Sequence, residues 1–252
     1  LSSSSAASDV YKRQGIPYLN ASLFSLTYTS ENVSLLPSLI NTLIMTLVSL
    51  AIAAPVGIFA AIFLVEYAKK GSRFVKLIRI TAETLSGIPS IVYGLFGMLF
   101  FVTALHWGMS LLSGALTMVI MVLPLIMRTA EEALKSVPDS YREASFGLGA
   151  GKLRTIFTIV LPSAVPGILA GVILAIGRVV GETAALLYTS GTVAAVPNSL
   201  MGSGRTLALH MYVLSSEGLH VNQASATAVV ILAFVLVING LSGLVARKIA
   251  KG

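Results

Sequence analysis

VPDSYREASFGLGAGKLRTIFTIVLP, running from Val137 to Pro162, is a charged amphipathic island between long hydrophobic blocks. Ser140-Tyr141-Arg142-Glu143 has the S-x-x-E spacing in which a serine oxygen and a glutamate carboxylate satisfy orphan amides of a starting helix. The spacing therefore predicts a short helix from Ser140. Leu148-Gly149-Ala150-Gly151 predicts its end, because glycine tolerates the left-handed geometry that closes a helix. A second helix is expected at once. In it Leu153, Ile156, Phe157 and Val160 recur at i, i+3, i+4 and i+7, with Lys152 and Arg154 off that face. Pro162 marks the entry to the next apolar block.

Outward from this island the composition sets the class. The chain has 252 residues, 56% hydrophobic and 11% charged, with mean hydropathy +0.89. Soluble domains carry roughly 25% charged residues, so this is an integral membrane protein. It contains no cysteine, which excludes a disulfide framework and a thiolate metal site. His106, His210 and His220 have no ligand spacing, so no metal and no cofactor is implied. The net charge of +7 does not indicate nucleic acid, since no basic stripe is interleaved with aromatics.

A bilayer core of about 30 Å needs roughly 20 apolar residues per helix. Five blocks qualify, at 36–65, 85–105, 109–127, 164–188 and 224–245. The first is long enough to tilt, and Pro55 with Gly57 predicts a kink in it. Small residues are frequent in all five, as close helix packing in lipid requires. The fold class is thus all-α, a polytopic bundle of membrane helices. Residues 1–14, LSSSSAASDVYKRQ, show no initiator methionine, apolar segment or periodicity and read as a truncated or foreign prefix. Residues 15–35 read as an extended external loop, 36–246 as the membrane domain and 247–252 as a cytoplasmic tail.

Basic residues decide the orientation. Lys69, Lys70, Arg73, Lys76 and Arg79 follow the first block, and Arg128, Lys135, Arg142, Lys152 and Arg154 follow the third. Arg247, Lys248 and Lys251 follow the fifth, whereas the opposite side receives Arg205 and the prefix residues Lys12 and Arg13. By the positive-inside rule the 128–162 loop and the C-terminus are cytoplasmic, and 15–30 and 191–222 face outward. The segment from Thr206 to Leu214 is expected to lie along the membrane surface. An odd number of spans puts the N-terminus outside with no signal sequence to export it, which predicts a preceding span.

Glu143-Ala144-Ser145, Gly149, Ile159 and Leu161-Pro162 resemble the EAA loop of ABC-importer permeases, E-A-A-x3-G-x9-I-x-L-P, with Ser145 for the second alanine as the one departure. In that family the loop is a cytoplasmic coupling helix that docks on the ATPase subunit. Three further stretches are similar to the PstA family of phosphate-importer permeases: Leu85 through Gly97 (LSGIPSIVYGLFG), Leu123-Pro124 with Arg128-Thr129, and Gly177-Arg178-Val179-Val180-Gly181-Glu182-Thr183-Ala184. The resemblance covers nearly everything from Gly15 onward. It implies a type I ABC-importer bundle with six spans, of which five are visible here, in a bacterial or archaeal plasma membrane. It also implies a homologous PstC-like permease, two copies of a PstB-like ATPase, an external PstS-like phosphate-binding protein, and inorganic phosphate as cargo.

Arg178 and Glu182 carry the sharpest chemistry. A charged residue within a span costs about 2.5 to 3.5 kcal/mol on insertion scales and so faces an interior or a water-filled cavity. A separation of four places both on one helix face, although arginine before glutamate is the weaker order for a local pair. Guanidinium is permanently charged and suits a phosphate oxyanion, which puts Arg178 on the substrate path with Glu182 moderating it. The alternative is an ion pair that locks packing. Arg128, closing the third block, reads as a pathway residue or an interfacial anchor, Glu83 as interfacial, and Asn41 and Asn239 as interhelical hydrogen bonders.

The chain has no phosphate-binding nucleotide loop: Gly151-Lys152 is followed by Leu153, and Phe146 stands where the first glycine belongs. It is therefore expected to be no enzyme by itself and to draw power from another polypeptide through Glu143 to Pro162. Two other classes compete. A proton-coupled secondary transporter using Glu182 leaves the cytoplasmic island unexplained. An intramembrane enzyme lacks any nucleophile–base dyad or paired aspartates in the spans. A permease for sulfate or molybdate shares the EAA loop and is the nearest alternative.

Overall fold

The computed structural model describes residues 15–29, 31–69, 71–218 and 220–249. The prefix 1–14, Lys70 and Lys251 lie outside them. Among the described residues the chain is helical without strands. Two 3₁₀ turns, Ile16–Tyr18 and Ala21–Phe24, occupy the segment read as an extended loop. Then follow α1 Leu36–Ile62, prolonged by a π-helical turn Phe63–Tyr67; α2 Arg73–Ser86; α3 Ser90–Gly97, prolonged by a π turn Met98–Ala104; and α4 Leu111–Lys135. After them come α5 Asp139–Gly147, α6 Lys152–Val180, α7 Ala184–Thr189, α8 Leu207–Glu217 and α9 Val221–Ile249.

Four of these are long and apolar enough to cross a membrane: Leu36–Tyr67, Leu111–Lys135, Lys152–Val180 and Val221–Leu241. A fifth span exists if α2 and α3 with its π turn count as one, and that pair is bent by 101°. The second block is thus not one straight helix from residue 85. Ile88 precedes Pro89, which disfavours helical dihedrals at Ile88, so α2 closes at Gly87 and α3 restarts after Pro89. By contrast α1 runs unbroken through Pro55 and Gly57.

The described residues form two compact units. One comprises, of the described residues, those within 15–49, Pro89–Met118 and Gly177–Ile238. In it Leu23, Leu35, Leu207 and Ala226 make one buried cluster, and Val33, Leu214 and Ala224 another. The loop after α7 is strapped down here by backbone bonds: the first amides of α4, on Leu111 and Leu112, donate to Gly202 O and Leu200 O at 3.0 and 2.8 Å. These are amides that a helix start leaves without partners of its own. Asn41 of α1 donates through Nδ2 to Ala195 O and Arg205 O, and Thr42 Oγ1 accepts from Leu207 N at 2.8 Å. Gly204 admits Asn41, since a Cβ there would lie 2.7 Å from its Nδ2. The α8 segment is therefore held to the unit, with Leu207, Ala208, Leu209, His210 and Leu214 buried and Tyr212 exposed. Asn41 serves helix-to-loop bonds and not helix-to-helix ones, while Asn239 is exposed.

The other unit comprises Leu50–Ile88, Val119–Ile176 and Asn239–Gly252. Its core gathers Ala61, Ile62 and Leu64 of the α1 end, Val75 and Ala82 of α2, Met127, Ala130 and Leu134 of α4, and Ile156, Val160, Ala164 and Ile168 of α6. Where lipid solvates apolar side chains as well as a neighbour does, close backbone approach decides packing. Gly171 of α6 meets Thr129 of α4, and Gly167 meets Ala133 one turn on; a Cβ at either glycine would collide with its neighbour.

Candidate functional site

The quoted island folds as an elbow, α5 followed by the first turns of α6. Its start differs from expectation. α5 begins at Asp139 with Pro138 at the N-cap position, and no side chain caps it. Ser140 already lies inside the helix and no side-chain capping bond is made, so the Ser140–Glu143 capping box is not formed. Proline fixes its own φ near −65° and suits a helix entrance; Pro138 has φ −56°. Arg142 meanwhile draws Asp139 into the first turn, its Nη1 donating to Asp139 Oδ1 at 3.2 Å. The end of α5 agrees with the sequence. Gly149 has φ +84°, Gly149 N donates to Phe146 O at 2.9 Å, and Ala150 N donates to Ser145 O at 3.1 Å. This crossed pair of bonds around a left-handed glycine is the Schellman closure.

Three contacts fix the elbow within its unit. Arg142 is the principal one: Nε and Nη2 donate to Glu66 Oε1 at 3.1 and 2.8 Å, Nη2 also to Leu134 O at 3.0 Å, and Nη1 to Val137 O at 2.8 Å. With Asp139, all five N–H groups that a guanidinium offers are used. Glu66 belongs to the π turn that ends α1, and in the same turn the Tyr67 ring lies 5.0 Å from Lys152 Nζ. Third, Ser145 Oγ and Thr155 Oγ1 are 2.8 Å apart, joining the two arms. The serine that departs from the EAA pattern thus has a partner of its own. A cleft of about 580 Å³ opens beside these contacts, lined by Glu66, Lys69, Arg79, Lys135, Asp139 and Glu143 among others.

Of the apolar set predicted for the second arm, Ile156 and Val160 are buried, but Leu153 is 63% exposed and Phe157 is exposed as well. The buried stripe continues through Ala164 and Ile168, a step of four. A π turn, Ile156–Val160, lies just before Pro162. Proline in a helix lacks an N–H and crowds the carbonyl one turn back; the widened turn accommodates it and α6 continues through Pro162 and Pro166. Ala144 and Gly149 are exposed on the elbow, and Ile159 and Leu161 are half-buried.

α4 also corrects the sequence reading, because it continues past 127 to Lys135. Arg128 therefore stands inside this helix, exposed, and does not close it. It lines a small cleft of about 190 Å³ with Arg79, Glu83 and Glu131. Buried Glu131 is the charged centre there, with Oε1 2.6 Å from both Arg79 Nη2 and Lys135 Nζ; the contacts are ionic, their angles falling short of hydrogen-bond geometry.

Arg178 and Glu182 are separated by the end of a helix. α6 stops at Val180, so the two do not share a helix face, and no ion pair joins them. Glu182 is buried, and its Oε1 accepts from Ala185 N at 3.0 Å, serving the start of α7. Gly181 intervenes, and its missing Cβ removes any preference for continuing the helix. Arg178, in the last turn of α6, is half-buried, has no hydrogen-bond or ion-pair partner among the described residues, and lies in electrostatic reach of Tyr93. Sequence reasoning missed Glu66 and Glu131 as partners, and Arg142 as more than a basic residue. Nothing in the order of residues marks a pair 76 positions apart.

The sequence profile of the family described as "Binding-protein-dependent transport system inner membrane component" matches residues 53–251. The probable ABC transporter permease protein YqgI of Bacillus subtilis is 34% identical over 231 residues, 84% of this chain and 78% of the relative. The phosphate transport system permease protein PstA 1 of Mycobacterium tuberculosis H37Rv is 42% identical over 154 residues, 61% of this chain and 49% of the relative. The PstA homolog of Mycoplasma pneumoniae is 36% identical over 214 residues, 81% of this chain and 33% of the relative. The chain thus spans half or less of the length of these two PstA relatives. Among solved structures, an inward-facing form of the MetNI methionine ABC transporter matches with TM-score 0.68 at 19% identity, over 83% of this chain and 93% of that one. A bacterial ABC transporter importing alginate matches with TM-score 0.69 at 15% identity, over 98% and 90%. The chain belongs to the binding-protein-dependent transport system inner membrane component family and is a multi-pass permease subunit of an ABC importer.

Proposed function

We propose that this permease imports phosphate, and that its elbow receives the work of a separate ATPase. One observation carries the coupling: the second arm of the elbow and Arg178 belong to one continuous helix, Lys152–Val180. A displacement imposed at Ala144, Gly149 and Leu148 is passed on through Ser145–Thr155 to the same helix that ends with the free guanidinium. Arg142 ties the elbow to the end of α1 as well, so the pushed body includes both helices. ATP-driven closure of the nucleotide-binding subunits then changes which side Arg178 serves, a switch between two arrangements each favoured by a different ligand state.

Support for phosphate comes from the names of the relatives at 36–42% identity and from the chemistry of Arg178, whose planar donors match an oxyanion. Arg178 is the pathway residue, Arg128 a surface charge near a second cleft, and Glu182 a structural acceptor at the start of α7. The partners are a homologous permease, an ATPase dimer seated on the elbow from the cytoplasm, and an external phosphate-binding protein.

The test is reconstitution of the chain with these partners in liposomes. Phosphate should stimulate ATP hydrolysis and enter, and Arg178→Met should cut uptake at least tenfold, about 1.4 kcal/mol or more in the transport barrier, with assembly intact. Stimulation by sulfate or molybdate in place of phosphate overturns the cargo, and undiminished uptake by the variant removes Arg178 from the path.

A further inference from the structure

Arg205 is 4% exposed and always protonated, yet its Nε and Nη2 have no partner among the described residues. Those two nitrogens form the side-on edge of the guanidinium, the parallel fork that takes two oxygens of one carboxylate or phosphate. Buried charges in proteins are paired or they neutralise, and arginine does not neutralise. The four ion pairs among the described residues all belong to the other unit. What Arg205 meets is the face of the Tyr28 ring, 4.8 Å from its Cζ, a contact that leaves the in-plane fork free.

A second, independent set of donors lies beside it. Thr206 is the N-cap residue of the 11-residue helix α8, but its hydroxyl makes no capping bond and is buried without a partner. Thr42 supplies the acceptor for Leu207 N, whereas the amides of Ala208 and Leu209 have none among the described residues. Free amides and the positive end of the dipole make a helix start an anion site. Both ring nitrogens of His210, whose ring meets Tyr28 edge-on, are likewise buried and unpartnered among the described residues. Burial and the Arg205 charge hold the His210 pKa down to about 3, so the ring is neutral at working pH and the positive charge here is that of Arg205.

We infer that this unit contains a buried site for a small oxyanion of the phosphate or sulfate kind, held by the Arg205 Nε–Nη2 edge, the Thr206 hydroxyl and the first free amides of α8. The site is distinct from Arg178 and does not depend on which anion the permease transports. Arg205 N donates to Val193 O of the preceding loop, and Arg205 O accepts from Asn41 Nδ2 of α1, so occupancy ties that loop to α1 and α8.

The purified chain in nanodiscs gives the test, with thermal unfolding followed at fixed ionic strength in chloride, phosphate or sulfate. Phosphate or sulfate at about 100 times its dissociation constant should raise the melting temperature by on the order of 5 °C over chloride. Arg205→Gln should abolish that rise, and Arg205→Lys, which keeps the charge but loses the fork, should weaken binding at least tenfold. These measurements are made in the Arg178→Met background, which removes the guanidinium proposed for the transport path, so a rise that is present there and lost with Arg205→Gln belongs to this site and not to the path. Should Arg205→Gln not fold, Arg205→Lys and Thr206→Val give the same reading through a right-shifted anion titration. The proposal is overturned if no oxyanion raises the melting temperature beyond chloride, the cluster then holding water, or if the rise persists unchanged in the Arg205 and Thr206 variants.

Discussion

Arg142 shows how one residue outweighs a motif. The S-x-x-E spacing around it promised a cap, but a guanidinium that makes five N–H bonds to four acceptors fixes the geometry more strongly than a serine hydroxyl does, and α5 starts where Arg142 and Pro138 put it. Its carboxylate partner Glu66 is largely buried, and removing one member of such a pair costs about 3 to 5 kcal/mol. Arg142→Ala is therefore expected to loosen the elbow and uncouple ATP hydrolysis from uptake. Arg142→Lys, which keeps charge without the fork, should be intermediate; hydrolysis and uptake measured together in liposomes show the ratio rising. His210 gives a pH signature. Burial first, and Arg205 second, lower its pKa from 6.5 to about 3. As pH falls through 6.5 the unfolded chain takes up a proton that the folded chain refuses until about 3, so this contribution to stability is complete above 6.5 and declines below it. The slope is up to about 1.4 kcal/mol per pH unit in that window. Melting temperatures between pH 7.5 and 4.5 should fall more steeply for the natural chain than for His210→Gln.

The elbow's closure is the element most sensitive to a single methyl. Gly149 sits at φ +84° with open space around it, so a substitution there tests conformation and not crowding. A residue with a Cβ in that region costs about 1 to 2 kcal/mol. Gly149→Val should reopen the turn between α5 and α6 and lower phosphate-stimulated hydrolysis severalfold, with the membrane helices intact by circular dichroism. Gly171 is the opposite case, because its cost is spatial: any Cβ meets Thr129 Oγ1. The end of α5 was legible in the residues, since glycine alone tolerates that turn, and the break in the second span was written in Gly87-Ile88-Pro89. The buried side of α6 was legible only in part: Ile156 and Val160 are buried as their spacing predicts, whereas Leu153 and Phe157 are exposed, because burial depends on which neighbours the fold brings to each side.

At the scale of the molecule the elbow presents an apolar surface that the rest of the chain leaves open. Leu148 is 90% exposed, and Tyr141, Phe146 and Leu153 are exposed beside it. Under the proposed coupling an ATPase docks over such residues, so Leu148→Glu should reduce ATPase co-purification about tenfold or more while the chain still inserts and pairs with a homologous permease. Composition alone decided that this protein lives in lipid, since no soluble core accommodates 56% hydrophobic and 11% charged residues. Motif spacing between Glu143 and Pro162 decided the family, because local geometry depends on neighbours in the chain. Tertiary structure decided the rest: which charges pair, as Glu66 with Arg142 and Glu131 with Arg79; where α6 stops, between Arg178 and Glu182; and that the segment before α8 buries Arg205. Those outcomes depend on helices brought together across tens of residues, and sequence separation holds no record of which side chains then meet.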